Sequence, residues 1–227
     1  VRNVTRIAES FGYKVDMTIF QMHITMTIRH AGDDTIRRTS VGKIGPAAFN
    51  FDIISQISSL SWEAHDEHLS FRELTEKYER IIRKPRISRW WVLVLVTAAN
   101  ACFCRLFGGD VPAMGLVAAA TFVGFFVRQE KSTRHANHMA IFLICSFIAS
   151  LIASAGFRFH LGTTPETALG TSVLFLIPGV PLINSIFDLL EGHVLVGISR
   201  AVNALILIVC IALGLSATLL ILGLDTL

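Results

Sequence analysis

Apolar and polar positions alternate in short runs up to about residue 89, and beyond it long apolar runs follow one another. Val4, Ile7, Ala8 and Phe11 recur at helical spacing, with Gly12 as a stop. In YKVDMTIF and HITMTIRH the period drops to two. Val15, Met17 and Ile19 share one face, then Ile24, Met26 and Ile28, which predicts two antiparallel strands. DTIRRTSV reads as a third strand, with Gly42, Gly45 and Pro46 ending the pattern. A helix is expected from about Phe49 to Glu67, burying Phe51, Ile54, Ile57 and Leu60. Ser70 and Glu73 form a capping box that opens another, with Phe71, Leu74, Tyr78 and Ile81 on one side and Lys84-Pro85 at its end. Residues 1–89 are therefore read as a small α+β domain, near the lower size at which a core sustains itself.

Residues 90–227 read as a transmembrane domain of five spans, near 90–107, 111–127, 139–157, 166–190 and 200–224. Trp90 and Trp91 open the first at an interface, and the second is short. Thr164, Pro165 and Glu166 suit the N-cap, first turn and dipole of the fourth. Arg80, Arg83, Lys84, Arg86 and Arg89 precede span one, and Arg128, Lys131 and Arg134 lie between spans two and three. The other side has Arg158 and Arg105. The positive-inside rule then predicts a cytoplasmic N-terminal domain and an outside C-terminus. The fold class expected is an α-helical polytopic membrane protein with a small α+β cytoplasmic domain.

Composition sharpens this picture. Hydrophobic residues make up 52% of the 227, only 16% are charged, and mean hydropathy is +0.59, all remote from an ordinary soluble chain. The net charge of +3 gathers at membrane edges, so a nucleic-acid partner is not expected. Cys102, Cys104, Cys145 and Cys210 lie in apolar runs without a C-x-x-C pair, giving neither a disulfide frame nor a metal site. No signal peptide is visible. The start at Val1 suggests that a short N-terminal piece is missing.

In the front domain, His65-Asp66-Glu67-His68 offers two histidines three apart on a helix. No third ligand completes a recognised spacing, so a charged helix end is the stronger expectation and no metal or other cofactor is assigned. A hydrolase would have to use Ser58, Ser59 or Ser61 with His65 and Asp66, without a G-x-S-x-G setting.

The fourth span raises a sharper question, because Pro178-Gly179-Val180-Pro181 sits near mid-bilayer and acids follow it. Two prolines remove two donors and split the span into half-helices, with Pro181 suited to open the second. Free N–H groups at that opening would suit a carboxylate, and an exposed break is tolerated only inside protein or beside a wet cavity. Pro181, Asn184, Asp188 and Glu191 fall on one face of the second half-helix. Arg200, expected to open the next helix, is placed to pair with Asp188 or Glu191. Asn100 and Asn203 read as interhelical glue, and Arg134 to His138 as an interfacial cap. A five-span set is half of what many transporters use, which calls for a partner chain or a second copy.

LIPGVPLINSIFDLLEGHVLVGISR resembles the marker of the threonine/serine exporter family in its split form, with weaker matches in RIAESFGYKV and LFGGD. The matching residues are Pro178, Gly179, Asn184, Asp188, Gly192, Gly197, Arg200 and Gly214. The resemblance implies proton-linked efflux of small hydroxy amino acids, or of dicarboxylates such as succinate, across the bacterial inner membrane. It also implies a smaller second membrane subunit. Substrate binding is expected at Pro178, Gly179, Val180, Pro181 and Asn184. Proton coupling is expected at Asp188, Glu191 and Arg200. The alternatives are a membrane-anchored hydrolase working through the front domain, and a scaffold or regulatory subunit.

Overall fold

The computed structural model describes residues 1–20, 23–45, 50–85, 87–133 and 137–223. Expectations resting on Pro46, Phe49, Arg86, Arg134, His135 and Leu224 lie outside the described residues. The chain folds as two units, Val1–Arg86 and Ile87–Leu227.

The first unit runs α1 (Arg2–Ser10), β1 (Tyr13–Ile19), β2 (His23–His30), β3 (Asp33–Lys43), α2 (Phe51–Asp66) and α3 (Phe71–Ile82). The sheet is antiparallel in the order β1-β2-β3. Val15 faces Ile28, Met17 faces Met26 and Ile19 faces Ile24, so the alternating residues become cross-strand pairs. Gly42 does not end the third strand: it pairs inside β3 opposite Ile24, its missing side chain leaving room for that isoleucine. Asn50 caps α2 by accepting from the Asp52 and Ile53 N–H groups, and the Ser70–Glu73 capping box is formed at α3.

Leu60, Ala64 and Leu74 make the core of this unit, with Ile7, Phe11, Leu69 and Ile81 packed around them. Phe51 and Ile54 are not buried as expected; they are 63% and 47% exposed, and Phe71 and Tyr78 are exposed too. So few elements cover only the stretch of α2 where α1 and α3 both reach it, and the ends of an apolar stripe stay outside. Helix α2 stops at Asp66 and His68 takes a φ of 50°, so His65 and His68 share no helix face. His65 Nδ1 lies 3.0 Å from Asp66 Oδ1. Ser61, one of the hydrolase candidates, is buried, accepts from Arg6 Nη1 at 2.7 Å and donates to the Ser58 carbonyl.

The second unit comprises α4 (Arg89–Leu106), α5 (Val111–Thr133), α6 (His138–Ala153), α7 (Ala155–Arg158), α8 (Pro165–Thr171), a 3-10 turn (Leu174–Leu176), α9 (Gly179–Leu190) and α10 (Val194–Leu222). Among the described residues four helices are long and apolar enough to cross a membrane, and the bent pair Pro165–Leu176 with Gly179–Leu190 supplies a fifth crossing if it counts as one span. Helix α5 is not short. It continues past Val127 through Arg128 to Thr133, because Gln129, Glu130 and Lys131 are good helix formers and the first two reach back to α4. Gln129 Nε2 donates to the Arg89 carbonyl at 3.1 Å, and Glu130 lies 3.8 Å from Arg89.

Helix α10 buries Gly197, Ala204, Ile211, Gly214 and Thr218. Four of these recur every seventh residue, the spacing of a seam between two nearly parallel cylinders. Against α6 the backbones nearly touch: a Cβ on Gly214 would sit 2.5 Å from the Leu143 carbonyl oxygen. Ser146 Oγ donates to the Ile211 carbonyl at 2.6 Å, and Ser150 and Thr218 hydroxyls are 2.6 Å apart across the same seam.

At one end, Asp110 joins two loops. Its carboxylate accepts from the Thr163 N–H at 2.5 Å, the Thr163 hydroxyl at 3.1 Å and the Ala113 N–H at 2.9 Å. The Asp110 N–H donates to the Thr164 hydroxyl at 2.9 Å, which takes that hydroxyl away from capping α8. The converging N–H donors hold the Asp110 carboxyl down to about 2.

Candidate functional site

The candidate site begins where the fourth apolar run bends. Helix α8 passes into the 3-10 turn, Pro178 interrupts the backbone, and α9 leaves at 60°. Helix α9 starts at Gly179 with Pro178 as its N-cap, so Pro181 is the third residue of the half-helix and not its first. Both positions fall where the N–H groups of α9 lack helical partners, so neither proline costs a bond within α9.

This corrects the expectation of an open crown of donors. Gly179 N–H turns back to the Ile177 carbonyl at 2.9 Å, Pro181 has no N–H, and Leu182 N–H closes the first helical bond to Pro178 at 3.1 Å. Among the described residues Val180 alone keeps a free N–H in the first turn.

A cation takes up the other side of the break. Arg128 of α5 donates from Nη1 to the Phe175 carbonyl at 3.2 Å, satisfying an oxygen that the 3-10 turn leaves without a helical partner. The guanidinium carbon lies 4.7 Å from the Phe142 ring centre and 5.9 Å from that of Phe125. Among the described residues no carboxylate pairs with it. Sequence reasoning treated Arg128 only as an orientation charge. Its neighbours in sequence carry no signal of the contact with Phe175, which comes from a distant part of the chain.

Below the break, Pro181, Asn184 and Asp188 are half-buried along one face of α9. Asn184 makes no side-chain hydrogen bond among the described residues. Asp188 Oδ2 lies 2.5 Å from Arg200 Nη1, joining α9 to α10, with the acid 20% and the arginine 39% exposed. Arg200 does not open its helix, since α10 begins six residues earlier at Val194, directly after Gly192 turns the chain. Glu191 lies just past α9, exposed, with His193 Nδ1 at 4.0 Å. Gly197 lets the two helices approach, because a Cβ there would sit 2.9 Å from the Ser185 carbonyl oxygen.

Asn100 behaves as glue: Nδ2 donates to Thr121 Oγ1 at 2.6 Å and to the Thr171 carbonyl at 3.2 Å, tying α4 and α5 to α8. Asn203 does not, since its amide bonds the Ser199 carbonyl of its own helix at 3.0 Å. Beside the break an apolar cavity of about 330 Å³ is lined by Val96, Asn100, Phe103, Leu174 and Phe175, among others. Among the described residues no group of three His, Cys, Asp or Glu could hold a metal ion.

Comparison with known proteins gives one family. The family model of the threonine/serine exporters (ThrE) matches residues 1–222. A Klebsiella aerogenes protein named probable succinate transporter subunit YjjP is 28% identical over 220 residues, covering 95% of this chain and 83% of the relative. The Escherichia coli K12 protein of the same name is 29% identical over 189 residues, covering 82% and 73%. No solved structure matches the chain.

Proposed function

The chain belongs to the threonine/serine exporter family, and from that premise we propose that it is one subunit of a proton-coupled secondary transporter. Its cargo is a small carboxylate metabolite, threonine or serine or a dicarboxylate such as succinate, exported across the bacterial inner membrane. The cytoplasmic side carries the N-terminal unit and the C-terminus lies outside. In support, Arg80, Arg83 and Lys84 precede the first span, Arg89 opens it and Lys131 lies at the end of the second. A smaller membrane subunit of the same family, or a second copy, supplies the other half of the pathway; the curated relatives are themselves named as subunits.

Substrate sits at Pro178, Gly179, Val180 and Pro181 with the Asn184 amide beside it. Asp188 takes up and releases the coupling proton, Arg200 is its counter-ion in the closed state, and Glu191 stands at the mouth. The observation that carries this is the 2.5 Å Asp188–Arg200 pair on the half-helix that leaves the break. An ionisable pair inside a span is expensive to keep there, which favours a functional reading. A proton on Asp188 removes the charge that Arg200 holds, so coupling requires the pair to part.

The test is uptake into proteoliposomes holding this chain with its partner, under an imposed pH gradient, using labelled serine, threonine and succinate. Saturable, gradient-dependent uptake of one of them is expected. Absence of flux for all three from an assembled complex would sink the proposal.

A further inference from the structure

We infer that Arg128 is the group that binds the substrate carboxylate, taking it in exchange for the Phe175 carbonyl. This rests on the transporter reading above and names the anchor that reading lacks. The half-helix N-terminus is poor in donors, with one N–H turned back to Ile177 and one position occupied by proline. Substrate recognition at the break therefore needs positive charge from elsewhere.

Arg128 supplies it. A guanidinium presents five N–H donors in a planar fork, and here one nitrogen, Nη1, bonds one neutral carbonyl. Asp188 is taken by Arg200, and Glu130 lies by Arg89. An arginine within a span normally pairs with an acid or faces a wet interior. The Phe125 and Phe142 rings hold its plane without consuming donors. A carboxylate matches that fork: two parallel bonds between opposite charges replace one bond to a neutral carbonyl. Lysine cannot reproduce the fork.

The exchange also explains why the cation meets this particular oxygen. Phe175 stands two residues before Ile177, whose carbonyl receives the Gly179 N–H, so the bond fixes the end of the first half-helix. Breaking it on substrate arrival frees the break to change its angle. Binding at Arg128 and movement of α9 thus become one event.

The experiment measures competition against the labelled cargo in proteoliposomes of the assembled complex, for wild type, Arg128→Gln and Arg128→Lys. The probes are succinate and serine, each beside its carboxylate-free amide, succinamide and serinamide. Wild type is expected to prefer the carboxylate over the amide by about a hundredfold, and Arg128→Gln to cut that preference about tenfold or more, with Arg128→Lys between. An unchanged preference in either assembled variant overturns the inference and leaves the transporter reading standing. Failure of both variants to assemble assigns Arg128 to packing and overturns it as well. Absence of flux in wild type is a different result, which removes the transporter reading itself.

Discussion

Asp188 and Arg200 lie twelve residues apart in sequence and 2.5 Å apart in space, and their bond closes α9 onto α10. Asp188→Asn keeps the size and one hydrogen bond but cannot exchange a proton at neutral pH. Gradient-driven flux is expected to fall about tenfold or more, while substrate exchange without a gradient persists. Parallel measurement of both modes in proteoliposomes separates coupling from binding; equal loss of both would deny Asp188 the coupling role.

The α6–α10 seam tolerates no side chain at Gly214. A Cβ there meets the Leu143 carbonyl oxygen at 2.5 Å and the Phe147 nitrogen at 2.9 Å, both backbone atoms that cannot rotate away. Gly214→Ala is expected to destabilise the chain by about 1–3 kcal/mol, as overpacking does. Thermal unfolding in detergent reports it, with Gly115→Ala as the control, since that position has open space around it.

The buried Asn100 amide is 3% exposed and reaches two helices. Asn100→Leu leaves Thr121 Oγ1 and the Thr171 carbonyl without their donor, at a cost of about 1–3 kcal/mol. The paired change Asn100→Leu with Thr121→Val should recover part of that loss, which a two-mutant thermal unfolding cycle measures.

The Asp110 clasp carries a pH signature. Its carboxyl is held at about 2 against an ordinary 3.8, so the folded state prefers the ionised form. Its contribution is present above 3.8 and is lost as the pH falls through about 2. Asp110→Asn should therefore unfold at a temperature less sensitive to acid than the wild type over that window. Gly162→Ala should open the clasp at any pH. Gly162 has a φ of +82°, and a Cβ there would sit 2.5 Å from the Asp110 carboxylate. Chymotryptic nicking at Phe159, which is exposed beside the loop, is expected to quicken in both variants.

Strands β1 and β2 were legible because a two-residue alternation of Val, Met and Ile leaves few other structures to bury it, and the observed register matches those residues face to face. That Arg200 would meet Asp188 or Glu191 was legible too, since Gly192 turns the chain and lays α10 back along α9; the structure selects Asp188. The end of α5 was not. Apolarity stops at Val127, but helicity continues through residues that hold to α4. Arg128 was hidden for a non-local reason. A cation at the end of an apolar run ordinarily reaches for headgroups, and here it turns inward because Phe175 has come close. That approach depends on Gly124, where a Cβ would stand 2.8 Å from the Phe175 ring. Nothing near residue 128 in sequence announces a contact made by residue 175.

The 60° bend at Pro178 makes a lever of α9. One side of the fulcrum is anchored, α8 lying against α4, α5 and α6, while α9 leans on α10. Asp188 stands ten residues along that arm, about 15 Å from the pivot at the helical rise. A swing of about 10° about Pro178 therefore carries its carboxylate by about 2.6 Å. That travel separates a direct ion pair from one with a water molecule between its members. A rotation smaller than the difference between two ordinary helix crossing angles is enough to turn the acid from locked to wet.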